Sequence, residues 1–168
     1  MKKIILLLLI AFSTSIYAQE KPNVEFNSKS ELLVNGQLVN NKTTYSKIEE
    51  LLGKPELIKE NKSGKKTYFY SQTGIAFSTF NDKLSMLGFN YNWDGDKNFP
   101  NTTFTGKLTI GKTILDVNST KEFMKSNDFL TFDPAIMDSY FAVSLNGVIM
   151  VGFKNEKITQ IGFEFKRE

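Results

Sequence analysis

The chain has 168 residues, with 21 basic and 18 acidic side chains for a formal net charge of +3, and it contains neither His nor Cys. Those two absences exclude Ser-His and Cys-His nucleophilic sites, imidazole proton transfer, and thiolate or imidazole metal ligation. They also exclude disulfides and a lipid-bearing Cys, while the modest charge gives no basic footprint for nucleic acid.

Residues 1–18 read as a secretory signal peptide: Lys2-Lys3, an apolar run from Ile4 to Phe12, and small polar residues before Ala18. Cleavage after Ala18 leaves 150 residues, no membrane anchor, and a periplasmic or secreted protein. Residues 19–30 read as a flexible N-terminal segment with a short strand around Val24 to Phe26. Two apolar runs, Leu32 to Val34 and Gln37 to Val39, then flank Asn35-Gly36, a strong hairpin signal because both turn residues accept positive φ.

Thr44 can cap a two-turn helix with an apolar stripe at Tyr45, Ile48, Leu51 and Leu52, stopped by Gly53 and Pro55. A strand over Lys65 to Gln72 carries Tyr68-Phe69-Tyr70. It is followed by a hairpin over Gly74 to Tyr91 that turns at Asn81-Asp82-Lys83. Trp93 to Thr105 is turn-rich and reads as a linker.

The second half restates the first. From Asn81 and Asn155 the sequence repeats without a gap at an offset of 74, nine of eleven positions keeping identity or chemical type. Upstream, Leu33, Gly36, Val39 and Ile48 align with Leu108, Gly111, Ile114 and Phe123 at an offset of 75. Ser119-Thr120-Lys121-Glu122 reads as a capping box for a second short helix. Ser139 to Leu145 reads as a strand with Tyr140-Phe141, whereas Phe129 to Asp138 carries no clear pattern. Strict alternation puts Thr159, Ile161, Phe163 and Phe165 on one side of the last strand, and Ile158, Gln160, Gly162 and Glu164 on the other.

The expected fold is therefore α+β: two β-α-β-β-β repeats, residues 31–92 and 106–168, joined by a linker over 93–105. They form one antiparallel sheet with a short helix per repeat on one face.

The motif Tyr45 to Pro55 with Tyr68 to Tyr91, echoed in Thr120 to Phe165, resembles the helix-plus-hairpin repeats of the β-lactamase-inhibitor-protein fold and of the SmpA/OmlA outer-membrane assembly lipoproteins. It also resembles exported Gram-negative tandem domains of unknown function. The inhibitor resemblance implies two repeats side by side whose concave, aromatic-bearing sheet face grips another protein.

On that reading Tyr68, Tyr70, Met86, Asn90 and Trp93 are the candidate partner-binding residues, provided they lie on the uncovered face. Asp94, Asp96 and Asn98 have the oxygen spacing that opens a calcium loop, but Phe99 stands where the sharp-turn Gly belongs and Thr105 where the bidentate Glu belongs. Lys62, Lys65 and Lys66 form a solvated basic loop. No catalytic motif and no cofactor site is present, so the expected function is a non-catalytic, exported protein-binding module. The alternatives are a carrier of small apolar ligands between the repeats and a carboxylate-based hydrolase.

Overall fold

The computed structural model describes residues 21–166; the signal-peptide reading of residues 1–18 lies outside them. An N-terminal strand, β1 (Asn23–Phe26), precedes a first half made of β2 (Leu32–Val34), β3 (Gln37–Val39), α1 (Tyr45–Leu52), β4 (Leu57–Glu60), β5 (Lys66–Tyr70), β6 (Ile75–Phe80) and β7 (Lys83–Asn90). The second half runs β8 (Lys107–Ile110), β9 (Thr113–Leu115), α2 (Glu122–Lys125), β10 (Asp133–Pro134), β11 (Ser139–Ser144), β12 (Gly147–Lys154) and β13 (Lys157–Phe165). Both halves follow the same path.

The architecture is mainly β, which corrects the α+β expectation of a single sheet. Among the described residues, thirteen strands stand against helices of only eight and four residues. The strands form two sheets, one of five in the order β3-β2-β1-β8-β9 and one of eight in the order β10-β11-β12-β13-β7-β6-β5-β4. Eight strands expose far more apolar area than helices about 12 Å and 6 Å long can cover. The early hairpin of each half therefore leaves the long sheet and becomes part of its lid.

Turn chemistry builds the hairpins. Asn35 and Gly36 take φ of 50° and 76°, and the equivalent pairs Asn81-Asp82 and Asn155-Glu156 also have both residues at positive φ. These are the mirror-image turns that match strand twist, and they occur here with an acidic residue where Gly is usual. In α1 the Thr44 hydroxyl accepts from Lys47 N at 3.4 Å, and the Gly53 N–H closes the helix on Glu49 O. The expected capping box does not form, because α2 is a single turn preceded by Lys121 with no side-chain cap bond.

The two halves meet along β7 and β13, paired antiparallel with Gly88 opposite Gly162, Leu87 opposite Phe163 and Phe89 opposite Ile161. Gly88 and Gly162 are equivalent residues, so a pseudo-twofold axis passes between them. Both halves share a bulge: Ser85 is the extra residue between Leu84 and Met86, and Thr159 between Ile158 and Gln160. The bulge overturns strict alternation, since it turns Leu84 and Ile158 into the core, where they are 2% and 0% exposed.

Upstream of the helices the structural offset is 76: Leu32, Val34 and Val39 are buried as are Leu108, Ile110 and Leu115. The 75-residue alignment had the register one residue off, which in a strand exchanges faces.

β1 lies on the same axis, antiparallel to β2 and parallel to β8. The short strand expected around Val24 to Phe26 is present, and with both residues buried it is the central strand of the smaller sheet and not part of a flexible segment. Phe26 meets Phe163 at 5.4 Å between ring centroids, Phe163 meets Phe89 at 6.2 Å, and Phe89 meets Phe104 at 4.8 Å. This aromatic chain links the two sheets face to face.

Candidate functional site

The outer face of the long sheet, away from the smaller sheet, is built from residues alternating with the core. Following the pairing register, one row across β7, β13, β12 and β11 reads Asn90, Gln160, Gly152, Ser139. The next reads Gly88, Gly162, Met150, Phe141, and the third Met86, Glu164, Val148, Val143. Three glycines in twelve positions leave this face low where the core face carries large side chains.

Residues 93–105 do not simply join the halves; they fold back over this face. The Asn90 side-chain amide donates to Thr102 O at 2.8 Å, Phe104 N donates to Asn90 O at 2.6 Å, and Thr102 Oγ1 donates to Ser71 O. Phe99 lies on the paired glycines: a Cβ at Gly88 would stand 2.5 Å from Phe99 Cε1, and one at Gly162 would be 4.0 Å from its Cζ. Only the absence of side chains at the axis lets this ring approach. The face expected to be open is thus partly covered by the chain itself.

A groove of about 500 Å³ remains beside the cover. Met86, Met150, Gly152, Gln160, Gly162 and Glu164 form its floor, Asp94, Asp96, Asn98 and Phe99 one wall, and Ile136 to Ser139 the other. Ile136 and Met137 are 78% and 99% exposed at the tip of that wall, and Met137 holds a φ of 56°. A large apolar side chain in the left-handed region and fully in solvent is uncommon.

Both walls are braced. Asp94 Oδ1 accepts from Asp96 N at 3.0 Å, and Asp96 Oδ1 accepts from Asn98 N and Nδ2, both at 2.8 Å. Trp93 Nε1 donates to Asp96 O at 3.2 Å, and Gln160 Nε2 reaches Asp96 Oδ2 at 3.3 Å. On the far side Lys121 pairs with Asp138 at 2.8 Å and with Glu156 at 3.2 Å, its ammonium standing 5.6 Å from the Tyr140 ring centroid. The hydrogen bond to Asp138 holds the Lys121 ammonium above the usual lysine range.

Of the five candidate partner-binding residues, one lines the groove, Met86. Tyr68 is buried, stacked between Tyr45 at 4.8 Å and Phe77 at 4.4 Å. Tyr70 is buried on the same side, its hydroxyl donating to Gly53 O at 2.8 Å, and burial raises its pKa. Asn90 lies beneath the cover and Trp93 is half exposed above it. The two tyrosines point to the core because the strand that carries them pairs with β6 in register with Phe77 and Ile75. An aromatic patch of all five does not form.

The calcium candidates Asp94, Asp96 and Asn98 do come together, as a wall whose carboxylates are used in turn hydrogen bonds. Among the described residues no group of three or more acidic side chains is arranged to hold a metal ion. Phe99, Met137, Met150 and Glu164 line the groove and are absent from the candidate binding set. The alternation of Gln160, Gly162 and Glu164 was a readable signal for the floor, but nothing local marked Phe99 as its cover.

A solved structure of an extracellular protein containing a SCP domain, from Bacillus anthracis str. Ames, is similar to this chain with a TM-score of 0.52 at 11% identity. The match covers 74% of this chain and 44% of that one, so this chain spans less than half of the neighbour's length, and the likeness is one of fold. No curated protein matches in sequence. The model of a domain of unknown function, DUF7738, matches residues 23–125, from the first residue of β1 to the end of α2, and the chain belongs to that family.

Proposed function

We propose that this chain is a non-catalytic, exported binding module that holds another extracytoplasmic protein in the groove on the outer face of its long sheet. The observation that carries the reading is the groove's place: it lies beside the junction of two equivalent strands, on a floor cleared by glycines. Its upper rim presents Ile136 and Met137 to solvent at no evident benefit to folding. Export follows from the leader-like residues 1–18, and periplasm or medium is the expected destination. The absence of His and Cys favours binding over catalysis, and the two wall carboxylates that a hydrolase would need serve the loop's own turns.

The test is recovery of partners from periplasmic extract and culture medium by the wild-type chain and by Met137→Asp. A small set of proteins retained by the first and lost by the second, with unchanged melting, is the expected outcome. Identical sets would overturn the reading.

A carrier of small apolar ligands is the second reading, because a volume near 500 Å³ falls in the range of ligand sites. Against it, the groove is open rather than enclosed. Saturable stabilisation by a fatty acid or another single apolar compound would favour it.

A further inference from the structure

The chain as a whole is slightly basic, with a net charge of +3. The groove has the opposite sign. Its lining holds Asp94, Asp96, Asp138 and Glu164 against Lys65 as the single cation. Asp138 is already neutralised by Lys121 at 2.8 Å. Asp94, Asp96 and Glu164 form no ion pair among the described residues, and Glu164 is exposed on the floor, paired with Met86 on one side and Val148 on the other. Carboxylates placed around a thioether and aromatic surface suit a guest with an apolar body and a positive charge.

The dimensions favour an extended chain. The groove crosses β11, β12, β13 and β7, three inter-strand intervals or roughly 14 Å, which is the length of about four extended residues. Gly162 carries no side chain, and the Phe99 ring alone stands within reach of its Cβ position, so the floor beside that ring is low enough for a backbone to approach.

Resting on the groove as the binding surface, we propose that its occupant is an extended peptide segment of a partner protein carrying Lys or Arg flanked by long apolar side chains. The apolar groups lie on Met86, Met150, Phe99 and the Met137 side chain at the rim. The cation faces Asp94, Asp96 and Glu164. Removing or reversing one of these charges weakens binding of such a segment by about tenfold and makes it less sensitive to salt.

The experiment is selection of a displayed random heptapeptide library on the wild-type chain, on Glu164→Lys and on Met137→Asp, two substitutions at exposed positions. Circular dichroism checks that each remains folded. The expected result is a pool enriched in basic plus apolar peptides on the wild type, lost on both variants. A pool that depends on Met137 but is neutral or acidic overturns the charge assignment and leaves the groove as a binding surface. A pool recovered equally on Met137→Asp, or no enrichment at all, overturns the inference, and recovery of partner proteins then decides separately whether the groove binds protein by other chemistry.

Discussion

The two faces of the eight-stranded sheet are made by alternate residues of the same strands, yet one is sealed and the other is left half open. On β13 Ile161 and Phe163 enter the core while Gln160, Gly162 and Glu164 face outward. Volume separates the faces more than polarity does, because the outer rows contain Gly88, Gly152, Gly162, Ala76 and Ser78 as well as two methionines. Cohesion comes from the inner face, which relieves the outer one of any need to pack tightly.

The largest test of the contrast is Phe163→Ala, which opens a cavity between Phe26 and Phe89 and should lower unfolding stability by about 3–5 kcal/mol. Glu164→Ala, one residue along, should change it by less than about 0.5 kcal/mol. Urea unfolding of both variants suffices, and similar losses would show that the outer face also carries the fold.

Alkaline pH gives the next effect. Burial raises the pKa of Tyr70 and of Tyr91, with Asp116 adding to the latter. The folded protein therefore keeps protons that the unfolded chain releases near pH 10, so the stabilisation is complete below that value and is lost as pH rises above it. The Tyr91 hydroxyl has no hydrogen-bond partner in the core. Tyr91→Phe should accordingly leave neutral stability unchanged or slightly higher and flatten the alkaline fall, as measured by melting temperature from pH 7 to 11. An unchanged pH profile would place Tyr91 in contact with solvent.

The smallest effect sharpens the comparison most. Gly88 and Gly162 are equivalent by symmetry, but the Phe99 ring is pressed against one and only touches the other. Gly88→Ala should displace Phe99 at a cost of about 1 kcal/mol, whereas Gly162→Ala should be neutral or stabilising by a few tenths. Trp93, the single tryptophan, is bonded to Asp96 in the same segment, so its fluorescence should shift in the first variant and not in the second. Equal shifts would mean that Phe99 does not hold the cover down.

Local chemistry made much of this legible in the sequence. Asn35-Gly36, Asn81 and Asn155 announce their turns, Thr44 and Gly53 bound α1, and the 74-residue offset reappears as the pairing of Gly88 with Gly162. Long-range effects were hidden. No residue near Val24 indicates that it will pair with Leu108, and so a separate smaller sheet could not be foreseen. The bulges at Ser85 and Thr159 look like ordinary strand positions, and strict alternation therefore puts Ile158 on the wrong side. The faces of Tyr68 and Tyr70 stay open in the sequence because they depend on which strand lies beside them. Phe99 acts through two glycines, and an empty position leaves no mark of what will fill it.

Among the described residues β1 is the one strand that the duplication does not repeat, and it occupies the axis between β2 and β8, where only a single copy of anything can sit. Two separate chains of one repeat each would bring two such segments to one vacancy, and one would be left outside with its apolar residues in water. Joining the repeats in tandem removes that rivalry. It also settles a direction, because the segment that enters runs alongside one half and against the other, so the twin halves cease to be interchangeable to anything that docks on them.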